Sequence, residues 1–537
     1  MQGADDPNRA EPDRRRAHGG LFDTQLTELN GSLEADWLER ARTLVVSNDI
    51  DAAAIVLTSA IAAHPDSSDL RLALAGVYQQ NRHFAKAEKL LRELLTQYPD
   101  NVAASFLLAR MLSHQGRLQA MASTLRGLFH HGVHDADLVI QAVELLDEGG
   151  RQTDAAAICE DEIAAGSADP RLHAYAGMLH IQLGEFEQAR ERYMYAVAND
   201  KRAFEWNIPI GLSSLQRYED LSHADFELFR NGLKQFDLND QARTSLQFAL
   251  GKAHDDIGDF AQAARYFRDA NAMVRATNPW SRKHWQHAIA SRLVAKARPC
   301  RGDFSTDWTP LFIVGVPRSG TTLTAELLSR HPDVCNRGEL HWLPKVAQQL
   351  ELTGHDNTAQ LEHATSIYEA QLLQDDDTGA KWFIDKEPLN LLRLDLIMAM
   401  YPNARIIFCR RNSRDTALSL WSQYFTGGAQ AYAYDLVDIA TVIQSCNRMM
   451  SHWLTRYARS IHVVHYEELT SNPTSCVSQL ASWLGLSECD YLNTKNRQAS
   501  INTGSLWQAR QPVYIRSVER WRNYAPYLPE LLRIPIE

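Results

Sequence analysis

Residues 311–323 read LFIVGVPRSGTTL. Leu311 to Val316 form a short apolar run, as expected of a strand buried on both faces of a parallel sheet. Leu323, Leu327 and Leu328 follow at helical spacing, up to the break at His331-Pro332. Between them lie Pro317, Arg318, Ser319, Gly320, Thr321 and Thr322. Strand, tight loop and helix in that order aim backbone N–H groups and a helix dipole at a phosphate. Further strand candidates are Trp382-Phe383-Ile384, Arg405–Cys409 and Ile461–His465, with long helical stretches between them. This alternation predicts an α/β domain with a central parallel sheet.

The loop differs from a nucleotide-triphosphatase loop, whose pattern is GxxxxGK[ST]. Gly315, Gly320 and Thr322 fit that spacing, but Thr321 stands where the Lys belongs. The cation sits inside the loop instead, at Arg318. The phosphate cradle is kept, and the lysine that reaches the β- and γ-phosphates is not. That pattern disfavours a kinase or triphosphatase and suggests a nucleotide gripped by its 5′-phosphate.

Upstream the sequence has a different period. Ala53, Ala87, Met121, Ala155 and Ala189 recur at one constant interval. Large residues often precede them by three (Ile50, Phe84, Leu118, Phe186), and apolar ones follow by four (Leu57, Leu91, Leu125, Tyr193). The interval resembles that of the tetratricopeptide repeat, a helix–turn–helix unit whose small residue lets two helices approach. Leu250-Gly251, Phe260, Ala263, Phe267 and Ala270 repeat the offsets out of phase, after a divergent stretch around Pro209. Five or six repeats over 35–275 are expected, and the fold class is an α-helical solenoid followed by the α/β domain. The expected divisions are a disordered tail at 1–34, the repeat array at 35–275, a linker or connecting helix at 276–307, and the α/β domain at 308–537. The concave face of such an array binds peptides in general; a second copy of the chain is the other occupant considered.

Composition bounds the remaining classes. The chain has 537 residues, 45% of them hydrophobic and 23% charged, and a net charge of −11. The charge argues against a nonspecific coat for nucleic acid or for an anionic membrane and leaves room for a local basic pocket. Seven scattered cysteines without a CxxC pair argue against a disulfide framework or a structural zinc site. No metal-ligand spacing appears, so no metal is expected. The polar N-terminal stretch lacks the apolar core of a signal peptide, and no apolar stretch is long enough for a membrane span; a cytoplasmic location is the expectation.

With these residues in view, FIVGVPRSGTT followed by HPDV resembles the 5′-phosphosulfate loop of sulfotransferases that use 3′-phosphoadenosine-5′-phosphosulfate (PAPS). Arg before Ser-Gly-Thr-Thr is similar to the tyrosylprotein sulfotransferases and their bacterial relatives. CRRNSRDTALSLW, residues 409–421, resembles the family's 3′-phosphate element. Other matching blocks are Asp385-Lys386-Glu387-Pro388, Tyr466-Glu467-Glu468-Leu469, and Ser505-Leu506-Trp507-Gln508 with Arg510. The whole order resembles the tetratricopeptide-repeat sulfotransferases.

The resemblance implies roles. Pro317 to Thr322 would hold the 5′-phosphate, with Arg318 and Lys386 at the leaving phosphate oxygen, where negative charge grows. Arg411 and Ser419 would hold the 3′-phosphate, and Arg510 a phosphate from the C-terminal loop. Ser505 matches a residue near the transferred group. Arg410 and Arg414 read as a supporting basic field or as solvated surface. A phenol, with a pKa near 10, needs a base at neutral pH; Glu339 matches the family's carboxylate base, and His341 is the alternative. The acceptor stays open among a peptidyl tyrosine, a polysaccharide and a small phenol. The competing non-enzymatic reading is a repeat scaffold carrying a degenerate nucleotide-binding domain.

Overall fold

The computed structural model describes residues 33–130, 132–294, 306–353, 358–374, 376–425, 428–491 and 515–536. The chain forms two compact units, divided between residues 131 and 132.

In its described residues the first unit is three helix pairs: α1 (Glu34–Val46) with α2 (Ile50–Ala63), α3 (Ser68–Gln80) with α4 (Phe84–Gln97), and α5 (Val102–His114) with α6 (Leu118–Arg126). The repeat period is visible in the helix starts at Glu34, Ser68 and Val102, and at Ile50, Phe84 and Leu118. Asp49, Ser67 and Asn101 cap their helices by accepting N–H bonds with their side chains, as capping residues should. The period positions Ala53, Ala87 and Met121 are fully buried.

The second unit continues the same spacing with α7 (Ala136–Glu148), α8 (Gln152–Ala164), α9 (Pro170–Leu183) and α10 (Phe186–Asn199). Tyr193 of α10 explains how the period is enforced. A Cβ at Gly177 would lie 2.5 Å from its ring, and a Cβ at Gly211 would strike the ring's opposite edge. Gly211 stands one repeat period after Gly177, so the array keeps its register through the divergent stretch. That stretch forms a distorted pair, α11 (Ile208–Ser214) and α12 (Ala224–Leu233), with Asn207 left-handed before Pro209. A last pair, α13 (Asp240–Asp256) and α14 (Phe260–Thr277), repeats the close approach at Gly251 and Phe267. There are therefore seven pairs among the described residues, more than the five or six expected. The distorted pair escaped the sequence reading because its first helix is cut to seven residues.

The last pair does not end in solvent. Ala263, Phe267 and Ala270 of α14 share one apolar core with Phe312, Leu418 and Trp453 of the α/β part. The ring of Phe267 lies 6.1 Å from that of Trp421. Within 276–307, α15 (Arg282–Leu293) buries Ile289 in the same core, and Arg282 pairs with Asp438.

The described residues of the α/β part hold five parallel strands: β1 (Thr309–Gly315), β2 (Val334–Asn336), β3 (Trp382–Asp385), β4 (Arg405–Arg410) and β5 (Ile461–His465). Their order is β2-β3-β1-β4-β5. The three later strands fall where expected; β2 is too short to leave a pattern. β1 is central, flanked by β3 and β4. In such sheets ligands bind at the carboxyl edge where the strand order reverses. The loops after β1, β3 and β4, which contain Arg318, Lys386 and Arg411, emerge there together. No helix among the described residues is long and apolar enough to cross a membrane.

Candidate active site

The loop after β1 is shaped by close approach. A Cβ at Gly315 would lie 2.6 Å from the Cys409 carbonyl of β4, so only glycine lets the strands pair to this point. Arg318 has φ +74° and Gly320 φ +99°. A left-handed non-glycine residue costs of order 1–3 kcal/mol and persists where its surroundings hold it. Here the Arg411 guanidinium donates to the Arg318 carbonyl at 3.1 Å. Gly320 opens α16 (Thr321–Leu328), and among the described residues no side chain caps it, so its first turn aims N–H groups at the end where an anion would sit. The Ser319 hydroxyl is buried and has no hydrogen-bond partner among the described residues. An orphan donor beside an uncapped helix start fits a phosphate oxygen. Thr321 and Thr322 are buried on the first turn.

After β4, Asn412 caps α20 (Ser413–Trp421) by accepting from the Arg414 and Asp415 amides. The intervening helices are α17 (Trp342–Thr353), α18 (Thr358–Leu373) and α19 (Leu394–Met400). Arg411 lies 4.5 Å over the ring of Tyr466 and donates to the Ser517 carbonyl at 2.6 Å. Its Nε is buried without a partner among the described residues. Tyr466 also walls Gly320, where a Cβ would come within 2.5 Å of the ring. The Tyr466-Glu467 block thus supports both elements at once, since Glu467 accepts the Asn412 amide. Arg318 Nε donates to Ser419 Oγ at 3.1 Å. Arg318, Arg411 and Ser419, drawn from segments far apart in the chain, therefore meet in one place.

Arg414 corrects its expected role. It is neither a phosphate field nor a solvated side chain. It donates to the Ile534 and Leu532 carbonyls at 2.9 Å each and lies over the Trp521 ring, pinning the C-terminal segment. Ser505 and Arg510 lie outside the described residues.

The third corner follows β3. Lys386 is 2% exposed, and its ammonium is ion-paired with Glu339. Backbone bonds from Lys386 to Gly338 and from Arg337 to Ile384 extend the β2–β3 pairing and bring the two side chains together. His341 is 73% exposed and sits 3.4 Å from Glu387. Its hydrogen bond with Glu387 holds its pKa above the usual histidine value, against partial desolvation. The preferred base therefore touches the lysine, and the alternative faces outward. Glu339, His341 and Glu387 bring three ligand-type atoms within 4.8 Å of one another. The lysine ammonium already neutralises one of them.

The sequence reading missed Asp385. It is fully buried, and burial pushes its pKa up to about 7. Tyr368 and Asn390 donate to one oxygen and the Glu387 amide to the other. An aspartate closing an apolar strand was the available signal. By sequence alone it is a possible ion-pair partner of Lys386, whereas in the structure it turns into the core.

Residues 310–490 match the sulfotransferase family model, and residues 44–97 and 72–127 match tetratricopeptide-repeat models. An uncharacterized protein of Aquifex aeolicus is 27% identical over 407 residues, covering 68% of this chain and 51% of its own length. A protein-tyrosine sulfotransferase of Drosophila melanogaster is 25% identical over 241 residues, covering 40% of this chain and 47% of its own. The chain thus spans about half the length of these relatives. A solved sulfotransferase domain from the Synechococcus PCC 7002 olefin synthase is 20% identical, with a TM-score of 0.33, over 42% of this chain and 91% of its own. The chain has an N-terminal tetratricopeptide-repeat region and a C-terminal sulfotransferase domain with a central parallel sheet.

Proposed function

We propose that this protein transfers a sulfuryl group from PAPS to a hydroxyl acceptor, with a peptidyl tyrosine as the acceptor class. The observation that carries the reading is the meeting of Arg318 with Ser419, and of Arg411 with the Arg318 carbonyl. Two anion-gripping elements this close suit a nucleotide with phosphates at both ends of its ribose. A bisphosphate would replace the Arg318–Ser419 bond with guanidinium–phosphate contacts, in which both partners are charged and the pairing can be bidentate.

The chemistry then follows from position. The acceptor oxygen attacks sulfur as the bond from sulfur to the bridging phosphate oxygen breaks. The electron pair leaves with that oxygen, where Arg318 and Lys386 supply positive charge. The acceptor proton goes to Glu339. Before the reaction Glu339 is held by the Lys386 ammonium. When the lysine turns to the departing phosphate, the carboxylate is released to take the proton. One pair of side chains thereby couples leaving-group stabilisation to base catalysis. His341, exposed and paired with Glu387, is placed less well for either task.

The tyrosine acceptor is inferred from relatives named as protein-tyrosine sulfotransferases. The repeats would then recruit the protein that carries it. Calorimetry with adenosine 3′,5′-bisphosphate and AMP tests the donor assignment. The bisphosphate is expected to bind roughly 30- to 1000-fold more tightly, the value of a buried charged contact of about 2–4 kcal/mol. Equal affinities would refute the two-phosphate site.

A further inference from the structure

We propose that Asp255, on the last helix pair of the repeat region, is a positioning residue for the 3′-phosphate end of the donor site. It anchors a C-terminal strap that fixes Arg411. The inference rests on the assignment of Arg411 and Ser419 to the 3′-phosphate.

Both oxygens of Asp255 are engaged by the strap. Arg520 Nη2 donates to Oδ2 at 2.7 Å, and the Tyr524 hydroxyl donates to Oδ1 at 2.5 Å. The pairing is largely shielded: Asp255 is 16% exposed and Arg520 24%. Tyr524 is fully buried, and burial, then the Asp255 charge, drives its phenol well above its ordinary pKa. One carboxylate therefore ties down a full turn, residues 520–524. From this turn the strap reaches α20. The amides of Glu519 and Trp521 donate to Asp415 at 2.7 and 2.9 Å. Just before them, the Ser517 carbonyl accepts from Arg411.

The neighbouring helix α14 completes the arrangement. Asn271 donates to the Trp421 carbonyl at 2.9 Å, at the end of the helix that carries Ser419. The helix bearing Ser419 is thus held at both ends by groups tied to the last repeat pair. This gives the fusion of repeats and catalytic domain a physical consequence, since the wall behind the 3′-phosphate site is built partly from a repeat.

Removing the Asp255 charge, as in Asp255→Asn, leaves one acceptor oxygen for two donors and sets an NH2 donor against the other, so Arg520 loses its counter-ion. The strap turn loosens, and the Ser517 carbonyl no longer fixes the guanidinium plane of Arg411. The cost of ordering Arg411 then falls on the binding step. The loop at 316–322 shares one support with Arg411, its bond to the Arg318 carbonyl, but keeps the close strand approach at Gly315 and the Tyr466 wall, so affinity for a 5′-phosphate alone should largely hold.

The test is calorimetry on the full chain with adenosine 3′,5′-bisphosphate and AMP. Asp255→Asn keeps the side-chain shape, and Arg520→Ala removes the strap's side of the pair. Each variant is expected to lower the bisphosphate-to-AMP affinity ratio by about tenfold, within the usual range of coupling between sites. AMP affinity should stay within about twofold, which also certifies the fold. The double variant should be no worse than the poorer single one, because both changes cut the same link. An unchanged ratio, or equal weakening of both nucleotides, would overturn the inference. So would additive losses in the double variant. A wild-type chain that bound both nucleotides equally would overturn the donor assignment itself, and this inference with it.

Discussion

The close approach of Gly177 to Tyr193 is made inside a single helix pair, whereas the contact of Arg318 with Ser419 joins a loop to a helix far away in the chain. The first kind is made within a repeat and made again in the last pair, where Gly251 meets Phe267, and the Tyr193 ring also meets Gly211 of the next pair. The second is made once, by segments that only the sheet topology brings together. Damage to the repeat contact should therefore cost stability, and damage to the loop contact should cost chemistry. The last helix pair belongs to both kinds. Its Gly251–Phe267 contact is a repeat contact, while Asn271 bonds the end of the helix bearing Ser419 and Asp255 bonds the turn at 520–524.

The sharpest break between the two regions is at the base. Glu339→Gln keeps the size of the side chain and removes its ability to take a proton at neutral pH. Turnover should fall about 10²–10⁴-fold, the usual cost of losing a general base. Donor affinity should not fall, and single-turnover kinetics beside calorimetry reads both. His341→Ala, made in parallel, should change turnover by no more than about twofold. A reversed pattern would make the exposed histidine the base.

Arg411→Ala comes next. Bisphosphate affinity should drop roughly 30- to 1000-fold, with AMP affinity nearly kept and the melting temperature little changed. A parallel loss of both nucleotides would mean that Arg411 supports the loop as a whole.

Gly177→Ala probes the opposite side of the comparison. Its Cβ would sit 2.5 Å from the Tyr193 ring, and Gly211 blocks the ring's retreat. Overpacking of this kind typically costs about 1–3 kcal/mol. Thermal unfolding should show that loss, with nucleotide affinity unchanged. A neutral result would show that the array yields more easily than its spacing implies.

The remaining effect is a slope. Asp385 has a pKa of about 7 in the folded chain, raised from 3.8 by burial. Between those two values the folded state holds a proton that the unfolded state has given up. Its stabilising contribution is full below about pH 4 and is lost as pH rises through 7. Asp385→Asn should flatten the pH dependence of stability across that window by up to about 1.4 kcal/mol per pH unit. Urea unfolding at several pH values reads the slope directly. An unaltered slope would mean that Asp385 is ionised throughout.

What could be read from sequence follows the same division. The repeat region was legible because translation makes one rule visible many times, as at Ala53, Ala87, Ala155 and Ala189. The tight turn from β1 into α16 was legible because Gly315, Arg318 and Gly320 leave a fixed spacing that its geometry demands. Lys386 and Glu339 were named separately, and their ion pair was not foreseen, since the register of β2 on β3 decides it. Asp385 looked like a surface partner because sequence does not say which way a strand's last side chain turns. Arg414 looked like part of the anion field because its partners, Leu532 and Ile534, lie at the far end of the chain and offer only backbone. Asp255 gave no signal at all. A carboxylate at the end of a repeat helix is ordinary until the strap that covers it is seen.

The central claim is that these converging loops form a sulfuryl-transfer site, and donor-dependent transfer tests it most directly. The full chain is incubated with PAPS labelled in the sulfuryl group and a tyrosine-containing protein mixture. The nucleotide product and the labelled acceptor are then quantified together. The account predicts 3′,5′-bisphosphate release matched one-to-one by label in acceptor hydroxyls, abolished by Arg318→Ala and by Lys386→Ala. Labelled donor that remains intact, with no measurable affinity of the chain for the bisphosphate, would contradict it.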